Sequence, residues 1–431
     1  MIKKIPKRIP SRLAPFGLGA CLGGALLAAG PTALAQTESG NSVRVEKMEK
    51  ENAELKKRLD ALEAMAQKEG LVPHLIPGGT PTKFVKALSD LQLSGFVTAS
   101  YFYDTSRPSD RKSNGYLWNT SENSFTLNKV KLTLASPPAE RSGEKWSAGY
   151  RASLIWGEDS AVVNTGGEVQ GLENLREAYV EVNAPLGTGL NIKAGQLISL
   201  LNYESGDGGA VNANFSQGYQ WYYTGNGPSA GVQLGYTFTD WLDLKVRVQN
   251  GIYAGAIDNN SGKAYMAALG IKPAKDLWLS LIGFQSHESE GFSVAGASVL
   301  AGYQVCKPLG VGLELDYFTF DPDPASSKDI WSIGTWVTYD FTPSVSLAFR
   351  AEYLDDKDGF GINGVGFRSG QSISSPDANG DLSSLTLTLN YKPVPNIKIQ
   401  PEIRWDRTSY KDGFDGHESR FFVGAGVSYI F

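Results

Sequence analysis

From Leu91 onward the sequence repeats with a period of two, and that period constrains the fold more than any other feature of the chain. Ala230, Val232, Leu234, Tyr236 and Phe238 alternate with Gly231, Gln233, Gly235 and Thr237; Val345, Leu347, Phe349, Ala351 and Tyr353 alternate with Ser346, Ala348, Arg350 and Glu352. Successive strand residues point to opposite faces of a sheet, so each such segment is a strand with one apolar and one polar face. About sixteen follow one another: 91–104, 125–136, 145–157, 173–185, 190–201, 229–239, 241–250 and 264–272, then 277–285, 293–304, 310–320, 330–340, 344–354, 382–392, 396–407 and 419–431. Long connections (105–124, 158–172, 202–228, 251–263, 355–381, 408–418) alternate for the most part with short ones (the Thr239-Asp240 junction, 273–276, 306–309, Pro393-Val394-Pro395). A soluble β-sandwich has no reason to alternate loop length in this way, whereas an up-and-down barrel across a membrane has short turns on one side and long loops on the other. Aromatics gather at both strand ends: Trp146, Phe238, Trp241, Trp278, Tyr339, Tyr391 and Tyr429 near the short turns, and Tyr101, Tyr103, Trp156, Tyr317, Tyr353 and Trp405 near the long loops. Two such belts mark the two membrane interfaces. The expected fold is therefore all-β, a transmembrane antiparallel up-and-down barrel over residues 91–431.

The first 35 residues read as a signal peptide. Lys3, Lys4, Lys7, Arg8 and Arg12 precede an apolar run from Leu13 to Gly30, and Ala33-Leu34-Ala35 supplies the small residues of a cleavage site. A membrane anchor is the first alternative, disfavoured by Pro15 and the glycines of the run; lipidation at Cys21 is the second. Five of the 40 basic residues lie in that segment and none of the 45 acidic ones, which leaves a mature net charge of −10. That balance argues against nucleic acid as a partner, since such binding rests on basic neutralisation of phosphates. Only Cys306 remains after cleavage, so no intramolecular disulfide forms.

Residues 36–70 form a second segment. Val45, Met48, Asn52, Leu55, Leu59, Leu62 and Ala66 occupy a and d positions of three heptads, Asn41 or Ser42 can cap the helix, and Gly70 can end it. In this register Glu51 faces Lys56 of a partner and Arg58 faces Glu63, as a parallel coiled coil requires. The expectation is a short self-associating coiled coil on the periplasmic side; a lone solvated helix is the alternative. Pro73, Pro77, Gly78, Gly79 and Pro81 then mark a linker over 71–90.

Several short motifs resemble a known family: Glu177-Ala178-Tyr179-Val180, Ile192-Lys193-Ala194-Gly195-Gln196, Tyr203-Glu204, Asn214-Phe215-Ser216, Gly231-Val232-Gln233-Leu234 and Asn250-Gly251. They are similar to the OmpL-like β-barrel porins and, more distantly, to the phosphate-selective porins, over roughly residues 91–431. The terminal Val427-Ser428-Tyr429-Ile430-Phe431 likewise resembles the last strand that the barrel assembly machinery recognises, which makes Phe431 the expected contact. The resemblance implies an outer-membrane location among lipid and lipopolysaccharide, a homotrimer, and a third outer loop folded into the barrel.

Catalytic and metal chemistry find little support. His74, His287 and His417 are the only histidines and lie in the linker and two loops, so no nucleophile–His arrangement is expected. Asp377, Asn379 and Asp381 have D-x-N-x-D spacing, with Asp355, Asp356 and Asp358 in the same loop, but the glycine and terminal glutamate of a calcium loop are missing. A solvated acidic loop is the reading, with calcium or divalent bridging to lipopolysaccharide as the alternative; no metal and no cofactor are expected.

What remains is the lumen, which at about sixteen strands is a water-filled channel. Its expected lining is Lys129, Lys131, Arg151, Lys245, Arg247, Arg350, Lys398 and Arg404, with Glu314 and Asp316 and with Lys193, Glu177, Glu181, Asp243, Glu352 and Glu402 beside them. Glu204 and Asp207 of the third outer loop (202–228) are expected at a constriction, facing the basic wall. Charged walls tune which solutes pass. The expected function is passive diffusion of small hydrophilic solutes or ions, without enzymatic activity. A structural or adhesive barrel gripping the cell wall, or a phosphate- or sugar-specific channel, are the alternatives. Basic residues on strands two, three, thirteen and fifteen against acids on strand eleven and in the loop also imply a transverse field. On that reading, changing Lys131, Arg151 and Arg404 to Glu shifts selectivity toward cations.

Overall fold

The structure is a computed structural model that describes residues 50–58, 60, 91–115, 119–160, 172–258, 260–359, 375, 377 and 379–431. The expected signal peptide, the linker and most of the heptad stripe fall outside these residues. Residues 50–58 are helical, and Arg58 reaches back to Glu54 one turn earlier at 3.3 Å, a pairing of the kind that supports an exposed helix face.

Sixteen antiparallel strands close into one barrel, each paired with its neighbours in sequence and β1 with β16. They are β1 Gln92–Asp104, β2 Ser124–Ala135, β3 Ser147–Trp156, β4 Leu175–Ala184, β5 Leu190–Leu197, β6 Ser229–Thr239, β7 Leu242–Gln249 and β8 Ala264–Ala274. The second half comprises β9 Leu277–Ser289, β10 Phe292–Cys306, β11 Leu309–Pro322, β12 Lys328–Thr342, β13 Val345–Asp356, β14 Gly380–Val394, β15 Ile397–Thr408 and β16 Ser419–Ile430. Closure leaves no edge whose N–H and C=O groups would face lipid unpaired, which is the condition for crossing a membrane with strands.

Alternation sorts the faces as the period requires. On β14, Leu385, Leu387, Leu389 and Tyr391 are exposed on the outer face while Ser384, Thr386, Thr388 and Asn390 are buried inside. The same alternation puts Tyr339, Tyr429 and Phe238 outward near the short turns and Tyr101, Tyr317, Tyr353 and Trp405 outward near the long loops. Trp278 is a correction: it does not join the outer belt. It shares the phase of buried Ile282 and Phe284, and its ring lies parallel to that of Tyr203, which sits inside the barrel. Leu277, Leu279 and Leu281 take the lipid face instead.

Strand bounds match the sequence pattern to within two residues, apart from two ends. β5 stops at Leu197, because the chain there leaves the sheet to enter the lumen. β9 continues to Ser289 and turns into β10 through Glu290-Gly291 alone, with Gly291 at φ +74°, the positive φ that so tight a turn needs. The wall is consequently uneven in height: β5 and β7 have 8 residues each, while β10, β12 and β14 have 15.

Candidate functional site

The long connection from β5 to β6, residues 198–228, folds into the barrel. It has little regular structure of its own, only a 3₁₀ turn at Gly208–Ala210 and a short helix at Tyr219–Tyr223. A buried chain without a ladder must satisfy its N–H and C=O groups elsewhere, and here the inward side chains of the wall supply the partners. Acids accept from the loop: Glu314 from the Tyr203 N–H at 2.9 Å and Asn202 Nδ2 at 3.1 Å, Glu402 from the Phe215 and Ser216 N–H at 2.7 and 3.1 Å, and Glu352 from the Gln220 N–H at 3.1 Å. Asp316 accepts from Gln220 Nε2 at 2.9 Å and Thr224 Oγ1 at 2.8 Å. Bases donate to it: Lys398 Nζ to the carbonyls of Gly209 (2.8 Å) and Asn212 (2.5 Å), Arg404 Nη1 to that of Gln217 (2.6 Å), and Arg350 Nη1 to that of Ser216 (2.7 Å).

Glu204 sits where these contacts converge. Its carboxylate accepts from Arg350 Nη1 at 2.7 Å, Trp336 Nε1 at 3.1 Å and the Gly218 N–H at 2.9 Å. Arg350 is fully buried and also pairs with Glu352 at 3.0 Å. Asp207 meets Lys131 at 2.6 Å and Arg176 at 3.7 Å. Arg176 escaped the sequence reading because its parity with Glu177 assigns it to lipid. The β3–β4 register shifts beside it, with Ser153 opposite Glu177 but Leu154 opposite Leu175. A bulge of this kind re-aims one side chain, and both Arg176 and Glu177 are buried. Apolar packing completes the fit, with Phe215 of the loop stacked on Phe102 of β1 at 5.5 Å.

Most of the expected lining thus lies beneath the loop. Arg350, Lys398, Arg404, Glu314 and Asp316 are buried there, and Arg247, also buried, donates to the Ile198 carbonyl at 2.8 Å where the loop departs. Lys129 pairs at 2.8 Å with Asp159, in the connection that follows β3. In that outer connection, burial pushes the Asp159 and Glu158 carboxyls above the ordinary carboxylate range, against the pull of Lys129 on the first and of the Ser121 hydroxyl on the second.

The cations that reach water are on the other wall. Arg151 on β3, Lys193 on β5 and Lys245 on β7 have side chains 36 %, 25 % and 41 % exposed. Each has an acid near it, Glu177 at 2.6 Å, Glu181 at 3.6 Å and Asp243 at 4.0 Å. Lys193 also lies 4.6 Å above the Tyr179 ring. The loop turns Tyr203, Ser205, Val211 and Ala213 away from its anchors, and these keep partial or full exposure.

A family model described as beta-barrel porin-2, OmpL-like, matches residues 90–431. The chain belongs to this family. It is accordingly an outer-membrane porin, and its fold is that of solved porins at low sequence identity. The anion-selective porin from Comamonas acidovorans superposes with a TM-score of 0.52 at 11 % identity, covering 79 % of this chain and 99 % of that one. OmpT of Vibrio cholerae gives 0.50 at 10 %, covering 79 % and 97 %, and the outer-membrane channel DcaP of Acinetobacter baumannii gives 0.50 at 15 % with the same coverage. No curated protein matches the chain in sequence. In this porin the infolded loop is held mainly by side chains of β11–β15, with Lys131 of β2, Arg176 of β4 and Arg247 of β7 as further contacts. Among the described residues no cluster of potential metal ligands occurs.

Proposed function

We propose that the porin passes small hydrophilic solutes by diffusion along the water-filled strip between the infolded loop and β3–β9, without enzymatic chemistry and with a preference for anions. The observation that carries this reading is the asymmetry of the lumen. Strands β11–β15 use their charges to fix the loop, whereas β3–β7 hold it through Arg176 and Arg247 and leave Arg151, Lys193 and Lys245 in contact with water. Cations lining a narrow aqueous passage raise the local concentration of anions. The net negative charge, −5 for the full sequence and −10 without residues 1–35, does not oppose this, because much of the acid is bound to the loop or lies in outer connections. That the similar Comamonas acidovorans porin is described as anion-selective agrees with this reading. Single-channel recording in planar bilayers tests it. Deletion of residues 205–213, which removes much of the narrowing surface, is expected to raise conductance; an unchanged conductance in a folded deletion variant refutes the role of the loop as the constriction.

The porin acts as a homotrimer in this reading, with the heptads of residues 45–66 as a periplasmic self-association element, Asn52 fixing register at some cost in stability, lipopolysaccharide around the outer rim, and Phe431 as the signal to the assembly machinery. Unboiled gels are expected to show a heat-resistant oligomer that weakens when residues 43–66 are removed. A monomer both with and without that segment sinks the idea.

A further inference from the structure

One part of the lumen has a chemistry of its own. Across β9 to β12, four inward positions pair in a row, Trp278 with Gly302, Gly302 with Gly312, and Gly312 with Trp336. The adjacent row toward the short turns reads Gln304, Gly310 and Thr338. Neither row carries a charged side chain. A Cβ on Gly302 would run into Nε1, Cε2 and Cζ2 of Trp278 alike, so the indole lies face-down on that glycine and turns its other face to the lumen, where it is 39 % exposed. A Cβ on Gly312 would meet the ring of Tyr203 in the same way. The Trp278 and Tyr203 planes differ by only 11°, with centroids 6.0 Å apart, and Trp336 backs Tyr203 at 4.5 Å. The result is a flat aromatic shelf two rings wide, held against the wall by missing side chains. Around it, the Tyr203 hydroxyl, Trp278 Nε1 and Thr338 Oγ1 have no hydrogen-bond partner among the described residues, while Gln304 Nε2 is engaged by the Cys306 carbonyl and leaves Oε1 free.

We propose that this shelf binds the ring of a neutral sugar as it crosses the porin. Aromatic faces remove the apolar C–H face of a pyranose from water, and neutral hydroxyl, indole and amide groups at the rim exchange hydrogen bonds with its hydroxyls, the usual division of labour in a small-molecule site. The absence of charge argues against a site for anions, whose place is the opposite wall. Weak binding of this kind suits a channel, where a solute must also leave. The inference rests on the porin reading, and its test separates the two.

The experiment is single-channel recording of the full chain in planar bilayers, with maltotriose as the probe. Added sugar is expected to interrupt the ionic current reversibly and in proportion to its concentration, with an affinity that changes little with salt, since no charge takes part. Trp278→Ala should weaken block on the order of tenfold, a loss of about 1.4 kcal/mol, while Trp278→Phe keeps part of it and Tyr203→Phe lowers it by less. If the alanine variant fails to fold, the two conservative variants carry the test. A wild-type channel that conducts ions but shows no sugar block, or an equal block in wild type and Trp278→Phe, overturns the shelf and leaves the porin reading intact. Absence of ionic conductance overturns both.

Discussion

Arg350→Ala is expected to release the infolded loop, raise single-channel conductance and make the current noisy. Arg350 is fully buried and joins the wall to two separate points of the loop, the Glu204 carboxylate and the Ser216 carbonyl, each at 2.7 Å. Truncating it strands Glu204, which is itself buried, with only neutral donors. Removing one member of a buried pair costs about 3–5 kcal/mol, and the stranded acid regains water only if the loop lifts. The barrel ladder does not depend on this contact, so the variant still folds. Limited proteolysis is the second readout: residues 202–228 should resist cleavage in the wild type and be cut in the variant. Glu204→Gln is the milder companion, since it keeps the shape but loses the charge and one acceptor oxygen, so that it can accept from Trp336 Nε1 or from the Gly218 N–H but not from both. Wild-type conductance and protease resistance in Arg350→Ala would show that the remaining anchors hold the loop alone.

The barrel was legible because strand side chains have only two directions. Sixteen segments with one apolar parity leave few foldable arrangements, and the order of long and short connections sets which ends face which side. Parity is also where the reading stops. It cannot see the bulge that turns Arg176 inward, and it is ambiguous on β9, where Leu277, Leu279 and Leu281 compete with Trp278, Ile282 and Phe284 for the lipid face. Proximity to a short turn placed Trp278 in the outer belt, whereas the glycines on β10 and β11 that receive it and Tyr203 are visible only once register is known. The resemblance implies the infolded loop, and Glu204 and Asp207 read as facing a basic wall, but the wall partners of the loop backbone are not legible. Charges inside a barrel look alike in sequence whether they face water or a second layer of chain. Lys398 and Arg404 therefore read as a bare basic wall, although they donate to loop carbonyls and are buried. The distinction depends on contacts up to about 190 residues apart in the chain, which no local pattern encodes.

The same distinction decides how selectivity is to be tested. Changing Lys131, Arg151 and Arg404 together to Glu would reverse one water-facing charge and damage two structural ones. Glu at 131 would oppose Asp207, and Glu at 404 would face the Gln217 carbonyl beneath the loop. Replacing Arg151, Lys193 and Lys245 by Glu instead confines the change to the open wall. These three lie on alternate strands, so neighbours stand about 10 Å apart along the sheet at its usual spacing, and an ion passing the loop comes under more than one of them. A unit charge at about 4 Å contributes about 1 kcal/mol even in bulk water, and about 1.4 kcal/mol is tenfold in partition. Reversal of all three is therefore expected to shift the chloride-to-potassium permeability ratio by on the order of tenfold or more toward potassium, read as reversal potentials across a salt gradient. The shift should shrink at high ionic strength, because screening shortens the reach of each charge to a few ångströms. Arg151 is the member to change alone first, since its new carboxylate would stand beside Glu177 and leave that acid unneutralised. A triple variant that keeps wild-type conductance and wild-type reversal potential would place the selecting charges elsewhere, with Lys131 and Asp207 at the loop surface the next pair to exchange.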